Sequence, residues 1–144
     1  MRSRRIFLES MRILIAMQQD YRVALAANVR MLMEDKGVTQ SDIGRSTSVD
    51  QKTVGNVLRA KELDVHPGSE TIAELAAYFG VPTWALYHEN MTIDLLKNHR
   101  LPNLIDNFKA CNEDGRKEIL RVSENEVRYM SVAAGGAENN SPQA

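Results

Sequence analysis

The sequence has little of several features that mark particular classes of protein. It contains one cysteine, Cys111, which excludes a disulfide framework and fits a reducing cytoplasm. No apolar run reaches the ~18 residues that a membrane-spanning helix needs. The formal net charge of −1 gives the chain no overall attraction for nucleic acid, so any such contact depends on a local basic surface.

Groups that could perform catalysis or hold a metal are also sparse. His66, His88 and His99 lie far apart, and none has metal-ligand spacing with another histidine, a cysteine or a carboxylate. We interpret them as surface residues, and Cys111 as a small apolar residue rather than a nucleophile. There is no Gly-rich phosphate loop and no Ser-His-Asp arrangement. We therefore expect neither an enzyme nor a bound metal or cofactor.

Apolar residues instead recur at the spacing of α-helices, which predicts an all-α fold. A hydrophobic content of 43% permits a true core. Gly37 and Gly80 stand where two of the helices should end, and Ser69 is the expected cap of another. Three stripes repeat at about three, four and seven residues: Leu25, Val29, Leu32 and Met33; Ile72, Leu75, Ala76 and Phe79; Leu101, Leu104, Ile105 and Phe108.

Residues 39–59, TQSDIGRSTSVDQKTVGNVLR, are the most informative stretch. Thr39 with Asp42 forms a capping box that begins one short helix. Residues 46–49, STSV, favour a turn because their hydroxyl groups bond nearby backbone. Asp50 is a good N-cap for a second helix that ends near Arg59. The stretch therefore predicts two helices joined by a tight turn.

The apolar and small residues of this stretch fix how the two helices should cross. Counted from Gln40 as the first, positions 4, 5, 10, 15 and 18 are Ile43, Gly44, Val49, Val54 and Val57. This spacing lets the helices cross closely, with no room for a side chain at position 5. It is typical of a helix-turn-helix, whose second helix enters the major groove of DNA.

The polar residues of the second helix suit base recognition. Gln51, Lys52, Thr53 and Asn56 are left facing outward when the valines face inward. Glutamine and asparagine can bond adenine through two atoms, and lysine can reach guanine. The alternative is an ordinary solvated helix face. The spacing, the glycine and the capped turn together favour the DNA interpretation.

Residues 1–21 carry four arginines and a broad set of apolar side chains, which leaves three interpretations open. The segment is a basic arm that touches phosphates, a helix that packs on the core or a partner subunit, or partly spurious, with the native start at Met11 or Met17. The large apolar residues favour packing: Ile6, Phe7, Leu8, Met11, Leu14, Ile15 and Met17.

Residues 91–132 are predicted to form a C-terminal helical hairpin that serves oligomerisation. Pro102 suits the first turn of its first helix, and Asn112 can cap the second. Residues 133–144, AAGGAENNSPQA, are small and polar and are expected to be disordered. The second helix has an apolar side made of Ile119, Leu120, Val122, Val127 and Met130.

Residues 22–90 resemble the lambda-repressor-like (Cro/XRE-type) DNA-binding family. The resemblance rests on NVRMLMEDKGVTQSDIGRSTSVDQKTVGNVLRAKEL and SETIAELAAYFGVPTWAL, and it implies a five-helix domain. It implies that Gln40 bonds a phosphate and braces Gln51, that Gln51 and Lys52 reach bases, and that Arg59 and Lys61 lie near phosphates. The full set of residues expected to bind DNA is Gln40, Ser41, Gln51, Lys52, Thr53, Asn56, Arg59 and Lys61.

The sequence departs from the family pattern in two places. Ser48 replaces the usual glycine of a left-handed turn position, at an expected cost of about 1 kcal/mol. The loop of residues 61–69 is long and carries Glu62 and Asp64, which puts the phosphate role of Lys61 in doubt. Residues 104–122, LIDNFKACNEDGRKEILRV, resemble the C-terminal helices of phage-type regulators and suggest self-association.

These observations predict a sequence-specific, double-stranded-DNA-binding transcriptional regulator, a repressor acting as a homodimer in the bacterial cytoplasm at the nucleoid. Two copies are needed because one good base contact discriminates by roughly 1–3 kcal/mol, whereas genomic specificity requires about 4–10 kcal/mol. The alternative is a helical protein-interaction module, an antitoxin or adaptor, that keeps the fold without binding an operator. Near-neutral charge and the acids Asp42, Asp50, Glu62 and Asp64 favour that alternative.

Overall fold

The computed structural model describes residues 20–135, together with Leu8 and Met11. This part of the chain is all-α and contains no strand. Most of the expected N-terminal extension and the end of the expected disordered tail lie outside the described residues. The helices are α1 (Tyr21–Lys36), α2 (Gln40–Ser46), α3 (Gln51–Leu58), α4 (Ser69–Phe79), a 3-10 helix (Thr83–Tyr87), α5 (Ile93–Lys97), α6 (Arg100–Ala110) and α7 (Glu113–Gly135).

The helix ends follow local chemistry. Asp20 caps α1 by accepting from the backbone N–H of Arg22 at 3.1 Å. Gly37 and Gly80 end α1 and α4 in the left-handed conformation, both with φ near 67°, which confirms the predicted stops. The prediction that Ser69 caps α4 is wrong, because Gly68 holds the cap position and Ser69 is already helical.

The chain divides into two compact units between Asn98 and His99. The first unit has a continuous core in which Leu25, Val54 and Leu75 are fully buried. Leu96 of α5 is only 2% exposed and belongs to this core. The first unit therefore continues beyond residue 90, where the sequence suggested a boundary, because α5 packs against α1.

One polar side chain lies inside the first unit. Asn28 is 2% exposed, and its amide donates to the backbone carbonyls of Leu86 at 2.9 Å and His88 at 2.8 Å. These bonds satisfy carbonyls at the end of the 3-10 helix and fix that helix against α1. Trp84, half-buried in the same helix, packs against the core.

The second unit consists of α6 and α7, joined by Cys111 and Asn112. Asn112 accepts from the N–H of Gly115 at 2.9 Å and so caps α7 as predicted. The Arg116 guanidinium donates to the carbonyl of Phe108 at 3.1 Å, which ties the two helices together beside the turn. No residue described in this unit is buried. The helix continues to residue 135, past its expected end at 132, because alanines favour helix.

Candidate nucleic-acid interface

The α2 helix begins with the predicted capping box. The Thr39 backbone N–H donates to Asp42 Oδ2 at 2.8 Å, and the Asp42 N–H donates back to Thr39 Oγ1 at 3.2 Å. Thr39 donates hydrogen bonds to the Asp42 carboxylate, first from its hydroxyl group and then from its backbone N–H, and these bonds lower the pKa of Asp42. The box therefore satisfies two amides that a helix start leaves without partners.

The turn between α2 and α3 is held by side chains rather than by a left-handed residue. The Thr47 hydroxyl donates to the Ile43 carbonyl at 2.9 Å and accepts from the Val49 N–H at 3.1 Å. The expectation of a left-handed Ser48 is wrong, since among described residues other than glycine only Asp64 and Asn90 have positive φ. The turn therefore carries no conformational cost from a serine in the left-handed region.

The α3 helix starts on the cap predicted for it. Asp50 Oδ1 accepts from the Thr53 N–H at 2.7 Å, and this backbone bond is the main reason why the pKa of Asp50 is lowered. The carboxylate is thus ionised at the positive end of α3, where it is stabilised by the helix dipole.

The two helices cross at Gly44, where the sequence allowed no side chain. A Cβ built on Gly44 would lie 3.0 Å from the backbone N of Gln51 and 3.5 Å from its Cα. Backbone atoms cannot swing away as the end of a side chain can. The glycine therefore allows the first residue of α3 to rest directly on α2, and the predicted close crossing is confirmed.

The predicted reading residues occupy the outer side of this pair of helices. Gln51 and Lys52 are exposed on the first turn of α3, and Thr53 and Asn56 are half-buried beside them. The valines that were expected inside, Val54 and Val57, are 0% and 1% exposed. The helix therefore presents polar groups outward and seats its apolar groups in the core.

Gln40 and Ser41 lie at the start of α2, both half-buried. The Gln40 amide oxygen lies 3.0 Å from where a Cβ on Gly55 would be, one turn along α3 from Gln51. Gln40 therefore covers the middle of α3, and its predicted bracing of Gln51 stays a prediction.

The remaining predicted residues follow the end of α3, and Arg59 and Lys61 are exposed there. Asp64, one of the acids that put Lys61 in doubt, forms an ion pair with Arg22 of α1 at 2.9 Å. Arg22 also pairs with Asp20 at 2.8 Å, and its hydrogen bonds lower the pKa of Asp20 to about 2. The acidic loop is thus folded back onto α1 by a half-buried arginine.

Sequence reasoning missed two contacts that shape this region. Arg30 of α1 donates to the Leu58 carbonyl at the end of α3, at 2.5 Å, and lines one groove together with Arg59 and Lys61. Glu74 of α4 bonds Ser48 in the turn. The partners stand 28 and 26 residues apart, so no local pattern signalled either contact.

Among the residues that the structure describes, no group of three histidine, cysteine, aspartate or glutamate side chains could hold a metal ion. Within residues 20–135, no helix is both long and apolar enough to cross a bilayer. Comparison of the chain with models of known protein families, with curated proteins and with solved structures finds no match.

Proposed function

We propose that this protein is a sequence-specific DNA-binding regulator of transcription, a repressor acting as a dimer, which inserts α3 into the major groove. One observation carries the proposal: the crossing at Gly44, where the backbone of Gln51 rests on α2. This crossing supports a recognition helix that is fixed in direction while its first turn stays exposed. DNA-reading helices of this type contact bases with their N-terminal residues.

The chemistry of the exposed turn suits bases. Gln51 offers an amide that can bond adenine N6 and N7 together, and Lys52 offers a point charge for guanine O6 and N7. Neither side chain forms a hydrogen bond within the described part of the chain, so neither must break one to bind. Arg59 and Lys61 at the other end of α3 are exposed and would meet phosphates, which fix register rather than sequence.

The second unit supplies the means of dimerisation in this proposal. Its apolar side chains remain open to solvent, with Val127 70%, Met130 73% and Val132 74% exposed. A helix pair without buried residues gains its stability by covering such a face. A second copy of the unit would do so and would present two α3 helices to half-sites about 34 Å apart.

The proposal is tested by binding to cognate and random duplexes, in a series of salt concentrations. We expect Gln51→Ala and Lys52→Ala each to weaken cognate binding by about 1–3 kcal/mol, or roughly 5- to 150-fold, and random binding much less. Affinity of the unchanged protein should fall steeply with salt, because phosphate contacts release counterions.

Lys97→Ala is the matched control for loss of a positive charge. Lys97 of α5 forms an ion pair with Asp35 of α1 at 2.6 Å, and it has no proposed part in base reading. Equal losses on cognate and random DNA for the α3 variants would contradict base reading.

A protein-interaction module is the second candidate. The observation that favours it is the pair of carboxylates at the starts of α2 and α3, Asp42 and Asp50, whose hydrogen bonds lower their pKa values and keep them ionised. They repel phosphates near the proposed reading surface. If the protein is such a module, it should form no complex with any duplex at any salt concentration. This result would distinguish it from a DNA-binding regulator.

A further inference from the structure

The turn before α3 is linked to α4 by one carboxylate. The Ser48 backbone N–H donates to Glu74 Oε2 at 3.0 Å, and the Ser48 hydroxyl donates to Glu74 Oε1 at 2.5 Å. Both oxygens of the carboxylate are therefore used by a single residue. Hydrogen bonds to an ionised acceptor are shorter and stronger than those between neutral groups.

The two ends of this contact differ in rigidity. Glu74 stands on α4 beside Leu75, which is 0% exposed and anchors that helix in the core. Ser48 is exposed in the turn, two residues before the Asp50 cap of α3. The contact thus joins the start of α3 to the most firmly packed part of the first unit.

We propose that Glu74 is a positioning residue for base recognition: it acts through Ser48 to hold the first turn of α3 at the angle at which Gln51 and Lys52 meet bases. The inference rests on the proposed function and adds to it a residue that touches no DNA. A left-handed glycine would fix such a turn through backbone conformation. Here the backbone of Ser48 is not left-handed, and the carboxylate fixes the turn instead.

The contact serves precision more than global stability. Ser48 is exposed and Glu74 half-buried, so water can replace part of what the pair gains. The core beneath α3 remains whole without it, since Val54 and Val57 stay buried. Base contacts, however, need side chains placed within about 0.5 Å of the productive geometry. Loosening the turn should therefore weaken selective binding while leaving phosphate contacts in place.

The test measures the ratio of cognate to random affinity for Glu74→Ala, Ser48→Ala and the double variant. We expect Glu74→Ala to lower this ratio roughly tenfold, the size expected for losing hydrogen bonds to a charged group. The double variant should be no worse than Glu74→Ala, because Ser48→Ala removes only the hydroxyl bond, which Glu74→Ala already removes. Glu74→Gln, which keeps an acceptor for the Ser48 N–H, should recover part of the loss.

Glu70→Ala is the matched control. Glu70 lies one turn earlier on the same helix, lines the same polar hollow and is exposed, and it has no hydrogen bond to Ser48. It reports what removing one negative charge near DNA does by itself. A ratio lowered as much by Glu70→Ala, or losses that add in the double variant, would overturn the inference.

A second measurement separates this inference from the proposed function. Amide hydrogen exchange at Ser48 in the free protein should quicken in Glu74→Ala and stay unchanged in Glu70→Ala. Unchanged exchange in Glu74→Ala would refute the contact itself. Quickened exchange in a protein that shows no preference for any duplex would refute the proposed function, and with it the positioning role, while leaving the contact intact.

Discussion

Both units of the chain are built from helices that carry apolar stripes, yet they differ in what those helices bury. In the first unit the apolar faces meet, and Leu25, Val54 and Leu75 are 0% exposed. In the second, no residue described from position 99 onward is buried, and Val127 is 70% exposed. Helical periodicity thus predicts a helix without predicting what covers its apolar side.

The reason is the number of elements. A helix face becomes a core only when other elements close over it from several directions. Among the described residues, the first unit has five α-helices and a 3-10 helix to enclose its centre, whereas the second has α6 and α7. We therefore attribute the stability of the first unit to its own core, whereas the described part of the second unit has no such core, and its association with another molecule is the proposal to be tested.

The largest expected effect comes from opening the first core. Leu75→Ala should lower the free energy of unfolding by about 2–5 kcal/mol, because it removes a buried side chain and leaves a cavity. Leu120→Ala in α7 is the matched control in protein dilute enough to be monomeric, since Leu120 is then 52% exposed. Denaturant unfolding of both variants, followed by circular dichroism, measures the difference. Similar losses of unfolding free energy in the two variants would contradict the difference described between the units.

A smaller effect should come from charging the open face of the second unit. Val127→Glu should weaken self-association by more than tenfold, since an interface cannot bury an uncompensated carboxylate without a cost of about 2 kcal/mol or more. Sedimentation at several protein concentrations measures it.

Val23→Glu serves as the control for that experiment. Val23 is 49% exposed on α1, in the first unit, and the same change there should leave the association constant unaltered. If the protein without substitutions were monomeric at all concentrations, the second unit would not associate with a second copy of itself.

The smallest expected effect comes from alanine substitutions at two glycines of the first unit, one at the helix crossing and one away from it. Gly44→Ala should destabilise by about 1–2 kcal/mol, the cost of overpacking less the gain in helix propensity. Gly55→Ala is the control, because a Cβ there would meet only the end of the Gln40 side chain, at 3.0 Å. We expect Gly55→Ala to be neutral or stabilising by up to ~1 kcal/mol. Thermal unfolding compares the two, and a destabilising Gly55→Ala would contradict the assigned geometry.

The sequence predicted this structure where contacts are local. The Thr39 and Asp42 box, the Asp50 cap and the glycine stops each depend on residues a few positions apart, and all are present. The position of Gly44 among the apolar residues also predicted the helix crossing, because all residues that determine a helix-turn-helix lie within one short segment. The base-reading role of Gln51 and Lys52 stays a prediction.

Local patterns failed where the partner lies far along the chain. Ser48 was expected to be left-handed because the family pattern has a glycine there, and the carboxylate of Glu74 that bonds Ser48 stands 26 residues away. Arg30 reaches the Leu58 carbonyl across 28 residues for the same reason. The place of Leu96 in the first core was also missed, since a helix of five residues is too short to show a repeating apolar stripe.

The central claim is that the exposed first turn of α3 reads base sequence. Selecting duplexes from a random pool with the full chain tests it most directly. We expect enrichment of two copies of one short motif, related by two-fold symmetry and centred about one helical turn, near 34 Å, apart. A pool that stays random after repeated selection, although the protein is folded and concentrated, would contradict the claim.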